Sequence, residues 1–546
     1  MEKGVITSAT TQAYSLEKRD DDIVLPAELM HRIQSLLSEK EAARTCVLSK
    51  SWLHAWSTIP NLRFPTNQVS TIYKKYIDNT IQRYHDHNIP IESLEFLLEV
   101  ENKEADEIWM RDRLLAPETT SCLKDLCLYI SDARTVPRQS FKLPDNVFSG
   151  DKLHTIKLCS SCCILDDIYI GINHVIKCVS LRVLRLSHVN ISDDVFHNLL
   201  STCRLLEKVI LFLCLGLKTI KVKNLGFLCH LQIISRAQDD DGFLEIDNVP
   251  SLGFFSYKSF AFSIAETGNL LPFKTTGSTT ACSLGRSVTR LYLNGVIIDD
   301  TFIDMIKSKF VFLETLTLKI RCWASERLVI TSLSLKRLKL KLRWSSVKDL
   351  QVDAPNLLSF SYNGVTIPTL LFPSSIAPPK QIKLKLYRLW KPLDTSFLLK
   401  LKEVLNNFSA STFDIHIASS SKSLNAGDVD EIIRKGPVAN NVQRLSLHEI
   451  HLGDHSFDAF FSICSPSHLG LWNYNSEQCF STLTVVRGVM KNNTTHYDHL
   501  KQVVVQNPLS GEWEALTSSW ETDFHDSLTD GLEFKLNWSS AFSLDC

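Results

Sequence analysis

The pattern of apolar and polar positions changes character near Pro60. Before it, Leu29, Ile33, Leu36 and Leu37 recur at i, i+4, i+7 and i+8, which predicts one face of a helix. Pro26 suits the first turn of that helix, where its missing N–H costs nothing. Ser38 with Glu41 three places on predicts a capping box, opening a second helix that carries Ala42, Ala43, Cys46 and Val47. Ser49 is placed to cap a third helix bearing Trp52, Leu53 and Trp56, closed by Pro60. Three helices of roughly ten residues each bury little surface by themselves. Some of their apolar side chains must therefore face something else, either the rest of the same chain or a groove on another protein. Pattern alone leaves both open.

After Pro60 a different phrase, L-x-x-L-x-L with apolar substitutes, returns again and again. It reads IESLEF from Ile91, LKDLCL from Leu123, LHTIKL from Leu153 and LRVLRL from Leu181. It continues as LEKVIL from Leu206, VTRLYL from Val288, LETLTL from Leu313, LKRLKL from Leu335 and VQRLSL from Val442. The regular spacings, from roughly 20 to just above 30 residues, are those of leucine-rich repeats and slightly beyond. Each phrase predicts a short strand with inward leucines, then a polar turn and often a helix, as in SDDVFHNLLSTC and DDTFIDMIKSKF. One unit cannot bury its leucines, whereas stacked units share a continuous core. The stretch from Leu181 matches the stretch from Val288 at an offset of about 107 residues, including the trailing pair LEIDNVPSLGFFSY and LQVDAPNLLSFSY. A weaker copy begins at Val442, and QIKLKLYRLWKPLDTSFLLKLKEVL between them supplies a less regular strand and helix. Residues 277–287 and 419–435 read as loops between repeat groups. The expected organisation is a disordered tail at 1–19, a helical module at 20–66, irregular repeats at 67–480 and a capping segment at 481–546.

Composition alters this picture little. The chain of 546 residues is 44% hydrophobic and 22% charged, with a formal net charge of -1. That balance argues against general nucleic-acid binding, which needs a basic excess to displace counterions. No secretory signal opens the sequence, the apolar run Val209 to Leu217 is far too short to span a bilayer, and Ser-Leu-Asp-Cys at the end is no prenylation box. Cytoplasm or nucleus is the expected location, with neither a membrane nor a nucleic acid as partner. The 15 cysteines are scattered and fit reduced, buried thiols.

Clusters that invite chemistry are better explained by structure. Cys159, Cys162 and Cys163 have only Cys178 and His174 as further metal ligands, and core packing beside a strand is preferred. His448, His451 and His455 fall just past a strand and in the turn that follows, and read as an exposed turn. Asp193/Asp194 and Asp299/Asp300 precede helices, where carboxylates cap the first turn and favour its dipole. No phosphate-binding glycine loop, G-x-S-x-G or catalytic Cys/His/Asp order occurs, and no zinc-bound ring or catalytic-cysteine domain is visible, so the chain is expected not to be an enzyme. The alternation KRLKLKLRW sends Leu338, Leu340 and Leu342 inward and Arg337, Lys339, Lys341 and Arg343 outward; KQIKLKLYR does the same with Lys383 and Lys385. Simple solvation explains such a face; an acidic partner or a polyanion is the alternative. Arg185, Lys221, Tyr292 and Thr317 are expected to share that surface with Lys339 and Lys385.

The opening segment also resembles the F-box of plant F-box proteins. Leu25, Pro26, Glu28, Leu29, Ile33, Leu37, Lys40 to Arg44, Val47, Leu48, Ser49, Lys50, Trp52 and Trp56 carry the likeness, and Ser51 departs from the usual arginine. With the repeats behind it, the chain is similar to plant F-box/leucine-rich-repeat proteins. The resemblance implies an α/β solenoid, a leucine-rich-repeat horseshoe, preceded by a small three-helix F-box module. It also implies that Leu25, Pro26, Glu28, Leu29, Ile33, Leu37, Val47, Leu48, Ser49 and Trp52 bind a Skp-type adaptor, and through it a cullin scaffold. The repeats would then hold an unknown target protein for ubiquitination. A non-degradative scaffold and a small-molecule receptor are the rival readings. No cofactor is expected, although the basic strip would suit an inositol phosphate, as some relatives use.

Overall fold

The computed structural model describes residues 25–64, 71–132, 141–160, 168–260, 273–274, 287–294, 298–373, 377–419, 432, 439–448, 459–472, 500–506, 511–515 and 532–538, with short breaks at 38, 101, 171–175, 237–242, 299, 321–322, 324, 343–346 and 389–392. The expected tail at 1–19 lies outside these residues, as do His451, His455, Cys162, Cys163, His174 and nearly all of both expected loops.

Every phrase of the apolar pattern becomes a strand, and the strands stack in chain order. A 19-stranded sheet runs from Asn61–Phe64 through Ser93–Val100 to His468–Trp472, parallel throughout this span. The parallel pairing puts equivalent leucines on one another. Leu291, Leu316, Leu338, Phe360 and Ile382 form one inward rung, and Leu293, Leu318, Leu340, Tyr362 and Leu384 the next. All ten are buried within one continuous core. Each such side chain contributes roughly 1.5–3 kcal/mol by leaving water. No single phrase could realise that gain alone, which is why the repeat is the unit of stability.

Among the described residues, the opposite wall of the stack is not a continuous row of helices. Three turns carry predicted helices, Thr395–Asn407 and, in the two matching stretches, Asp193–Thr202 and Asp300–Lys309. The turns after the last two carry short second-layer strands, Thr219–Lys223 with Phe243–Asp247, and Arg327–Thr331 with Asp349–Asp353. The long self-similarity is therefore a compound repeat, one helix-backed turn followed by strand-backed turns. Asn224 and Asn248 end successive second-layer strands with positive φ of 55° and 49°, and Asn248 Nδ2 donates to Asn224 Oδ1 at 2.7 Å. Asparagine is among the few residues that enter this backbone region readily.

Both edges of the parallel span are occupied. Thr71–Asp86 packs Ile77, Ile81 and Tyr84 into the same core as Leu62 and Phe64, and the Tyr84 hydroxyl donates to Ile59 O at 2.9 Å. The strand Asn61–Phe64 thus joins the sheet although it falls within the span 20–66 expected to be a separate helical module. At the far edge, Leu532–Trp538 pairs antiparallel with His468–Trp472 and with Leu500–Gln506. A change to antiparallel pairing ends the repeat while satisfying the last strand's backbone groups. This sheet-dominated stack is compatible with a solenoid.

Candidate docking surfaces

The N-terminal helices are α1 (Ala27–Leu36), α2 (Glu39–Arg44) and α3 (Lys50–Ser57). Pro26 sits one place earlier than predicted, at the N-cap, with its carbonyl accepting from Leu29 and Met30 N–H at 3.0 and 3.1 Å. Ser49 caps α3, its hydroxyl accepting from Trp52 N–H at 3.3 Å. Ser38 lies outside the described residues.

These helices fold around a very small interior of Met30, Ala42 and Ala55, none of which belongs to the continuous core of the sheet. A buried polar cross-link helps hold them. Gln34 Nε2 donates to Thr45 Oγ1 at 2.9 Å and to the Trp52 carbonyl at 3.2 Å. Sequence pattern did not single out Gln34, because a polar residue at a buried helical position looks like a surface residue until its partners are known.

The predicted apolar face of α1 points away from that interior. Leu29 and Ile33 are exposed, and Leu36 is 82% exposed. Val47 and Leu48, in the short turn between α2 and α3, are 87% and 65% exposed. Leu53 on α3 is also exposed. Pro26, Glu28 and Ser49 are exposed and Leu25, Leu37 and Trp52 half-buried. Leu36 and Leu53, absent from the expected adaptor-binding set, belong to the uncovered group by exposure. Ser49 has a structural use as the α3 cap, in addition to any contact it makes.

The second surface is the outward side of the large sheet. Register lines up Arg185, Tyr292, Thr317 and Lys339 on one outward row, and Lys385 one rung further along. Lys221 is the exception. It lies on the second-layer strand Thr219–Lys223, where its N–H donates to His197 Nε2 at 3.1 Å. The phrase-like spacing of KTIKVK could not reveal that this strand belongs to the opposite wall.

Over the last parallel strands the outward residues become aromatic. Tyr387, His416, His448 and Trp472 form a ladder, with ring centroids 5.6, 4.0 and 5.7 Å apart in that order. Burial first, then the charges of His448, Lys385 and Lys383, hold the His416 imidazole down at about 4. The Lys385 ammonium is lowered by burial and by Lys383 and Lys339. The signal for the ladder was present in LKLY, LSLH and LGLW, where an aromatic or imidazole follows the last inward leucine.

The other candidates disperse. Asp193 does not merely favour its helix. Ser192 is the N-cap, while the Asp193 carboxylate accepts Lys218 and Thr219 N–H, both at 2.9 Å, tying one turn to the next. Helices starting at Asp193 and Asp300 make those two residues equivalent, in keeping with the offset of about 107 residues between the two stretches. The Cys178 and Cys203 thiols pack 3.4 Å apart in the core, whereas Cys159 faces outward beside Arg185. Among the described residues no group of His, Cys, Asp or Glu could hold a metal ion. Among them, too, no helix is long and apolar enough to cross a membrane.

A parallel repeat stack bearing a small helical module with uncovered apolar side chains presents two surfaces suited to binding other molecules. Comparison with known proteins narrows this. The family described as FBD-associated F-box protein At5g56370, LRR repeats, matches residues 111–257, within the stack. F-box/LRR-repeat protein 25 of Arabidopsis thaliana is 28% identical over 229 residues, covering 41% of this chain and 80% of the relative. FBD-associated F-box protein At3g52670, also from Arabidopsis thaliana, is 26% identical over 204 residues, covering 37% of this chain and 45% of the relative. F-box protein At5g03100 of the same organism is 28% identical over 214 residues, or 38% of this chain and 62% of that protein. The chain thus spans only about half the length of several relatives it matches. The chain is therefore similar, over part of its length, to plant F-box/leucine-rich-repeat proteins.

Proposed function

We propose that the chain is the substrate-recognition subunit of a Skp–cullin–F-box ubiquitin ligase. The F-box homologues suggest a substrate-adaptor type of function and, in general terms, interaction with a Skp-type adaptor. The observation that carries the reading is the exposure of Leu36, Val47 and Leu48, at 82%, 87% and 65%. Each would gain roughly 1.5–3 kcal/mol on full burial, a gain forgone in the isolated chain and available to a partner's groove. α1, α2 and α3 act as the F-box, and the outward face of the sheet holds the target. The chain contributes no chemistry. Holding a target lysine near a charged conjugating enzyme makes transfer effectively intramolecular, and this proximity is the mechanism.

Co-purification with a Skp-type adaptor tests the reading. Leu25→Ala with Pro26→Ala, trimming the two apolar side chains just before α1, is expected to reduce capture strongly while the repeats stay folded. Undiminished capture by this variant would overturn the assignment of the surface. A target whose abundance is unchanged by proteasome inhibition would favour a non-degradative scaffold instead.

A further inference from the structure

The outward face is chemically uneven. From the strand Phe254–Phe260 onward its outward positions include Lys258, Lys319, Lys339, Lys341, Lys383 and Lys385. Among the described outward positions from there to the closing strand Leu532–Trp538, the carboxylates are Asp414, 3.6 Å from Lys383, and Glu533, 3.7 Å from Arg444 beyond the strip. In a chain of net charge -1 this is segregation of charge, not a general basic excess. Burial, and then the nearby charges of Lys383 and Lys339, disfavour the charge on Lys385. Such crowding persists at a cost in isolation and is relieved by an anionic partner. Next to the lysines stands the ladder Tyr387, His416, His448 and Trp472. Gly470 lets the indole lie back over its own strand, since a Cβ there would come within 2.9 Å of Trp472 Nε1. The result is an aromatic ledge at the end of a lysine strip, with its last two rings, His448 and Trp472, stacked.

Shape selects among anions. The strands bearing Lys258 and Lys385 are five strand spacings apart, a strip roughly 24 Å long. An extended chain of about seven residues spans that distance. A compact polyphosphate would need basic groups converging on a cavity. The concavities lined by Thr289, Glu314 and Lys336 and by Thr395, Lys400 and Glu403 lie at the strand starts and on a helix, off this face. A nucleic acid would call for a broad basic excess, which the neutral chain lacks.

We infer that the outward face between Lys258 and Trp472 binds an extended acidic segment of a protein, its carboxylates over the lysine strip and an apolar or aromatic residue against the Tyr387–Trp472 ledge. This rests on the reading of the sheet face as the target-holding surface and names the chemistry of what it holds. Hydrophobic contact at the ledge sets the direction of the segment, and charge sets its register.

The test uses the full chain and a fluorescein-labelled peptide, Glu-Ser-Glu-Ser-Glu-Ser-Glu-Phe, followed by anisotropy at several salt concentrations. Lys339→Glu with Lys385→Glu should weaken binding by about tenfold or more and flatten its salt dependence. Trp472→Ala should weaken it independently of salt. Lys348→Glu, a change at an exposed ion pair with Glu326 on the opposite wall, should leave affinity unchanged. If the double reversal fails to fold by circular dichroism, Lys339→Ala with Lys385→Ala is read in its place. Equal affinity in the strip variants, no binding of the peptide, or strip-dependent binding of inositol hexakisphosphate or a short RNA but not the peptide would each overturn the inference. Adaptor capture by the same preparations separates the two proposals. Peptide failure with capture intact rejects only this one, and capture failure with peptide binding intact rejects only the adaptor role.

Discussion

Asp193 shows how much a single side chain does in a repeat stack. It lies in the first turn of its helix, yet both carboxylate oxygens are spent on the N–H groups of Lys218 and Thr219, in the following turn. Asp193→Ala removes two charge-assisted bonds and should cost about 1.5–3 kcal/mol per bond at most, read as a lowered urea midpoint. His416 makes a prediction in pH. Its folded pKa of about 4 lies below the value near 6.5 of an unfolded histidine, so the unfolded chain binds the proton first. Stability is therefore undiminished by this group above about pH 6.5 and falls as pH drops toward 4. Urea midpoints across that window should decline less steeply in His416→Gln than in the wild type. Neither residue's role was legible in the sequence. The Asp193 partners lie 25 and 26 residues away, in the next turn of the same wall, and His416 is perturbed by neighbours that only register brings together.

At the scale of elements, periodicity located strands and helices well and assigned their surroundings less well. The inward leucines of LKRLKL and LETLTL form the rungs expected of them. Lys221 sits on an identical-looking alternation yet belongs to the second layer, because period-two patterning specifies a strand but not which wall it joins. For α1, α2 and α3 the pattern gave the helices and left open what their apolar face meets. The structure puts Met30 and Gln34 inside and leaves Leu29, Ile33 and Leu36 outside. Replacing Leu36, Val47 and Leu48 together by Ser should shift the thermal midpoint hardly at all, since these side chains are already in water. A loss of several degrees would mean that the chain itself covers them. Conversely, Met30→Ala should unfold the module, which has few other buried apolar groups to hold it.

At the scale of the whole molecule, stability is shared along the stack and function is divided between its parts. Leu340 is wholly buried in the middle of its rung, between Leu318 and Tyr362. Leu340→Ala should cost about 2–5 kcal/mol and should be felt by neighbouring turns as faster amide exchange, because each turn is stabilised chiefly by the next. The same variant should leave adaptor capture intact below its midpoint, since Met30, Ala42 and Ala55 form an interior apart from the main core. The central claim is that α1, α2 and α3 present Leu36, Val47 and Leu48 to a foreign subunit. Its most direct measurement is calorimetric titration of a purified Skp-type adaptor into the full chain and into the variant carrying Leu36→Ser, Val47→Ser and Leu48→Ser. Saturable binding with a negative heat-capacity change in the wild type, abolished in a variant that melts at the same temperature, is the result expected. Equal affinity in both proteins would contradict it.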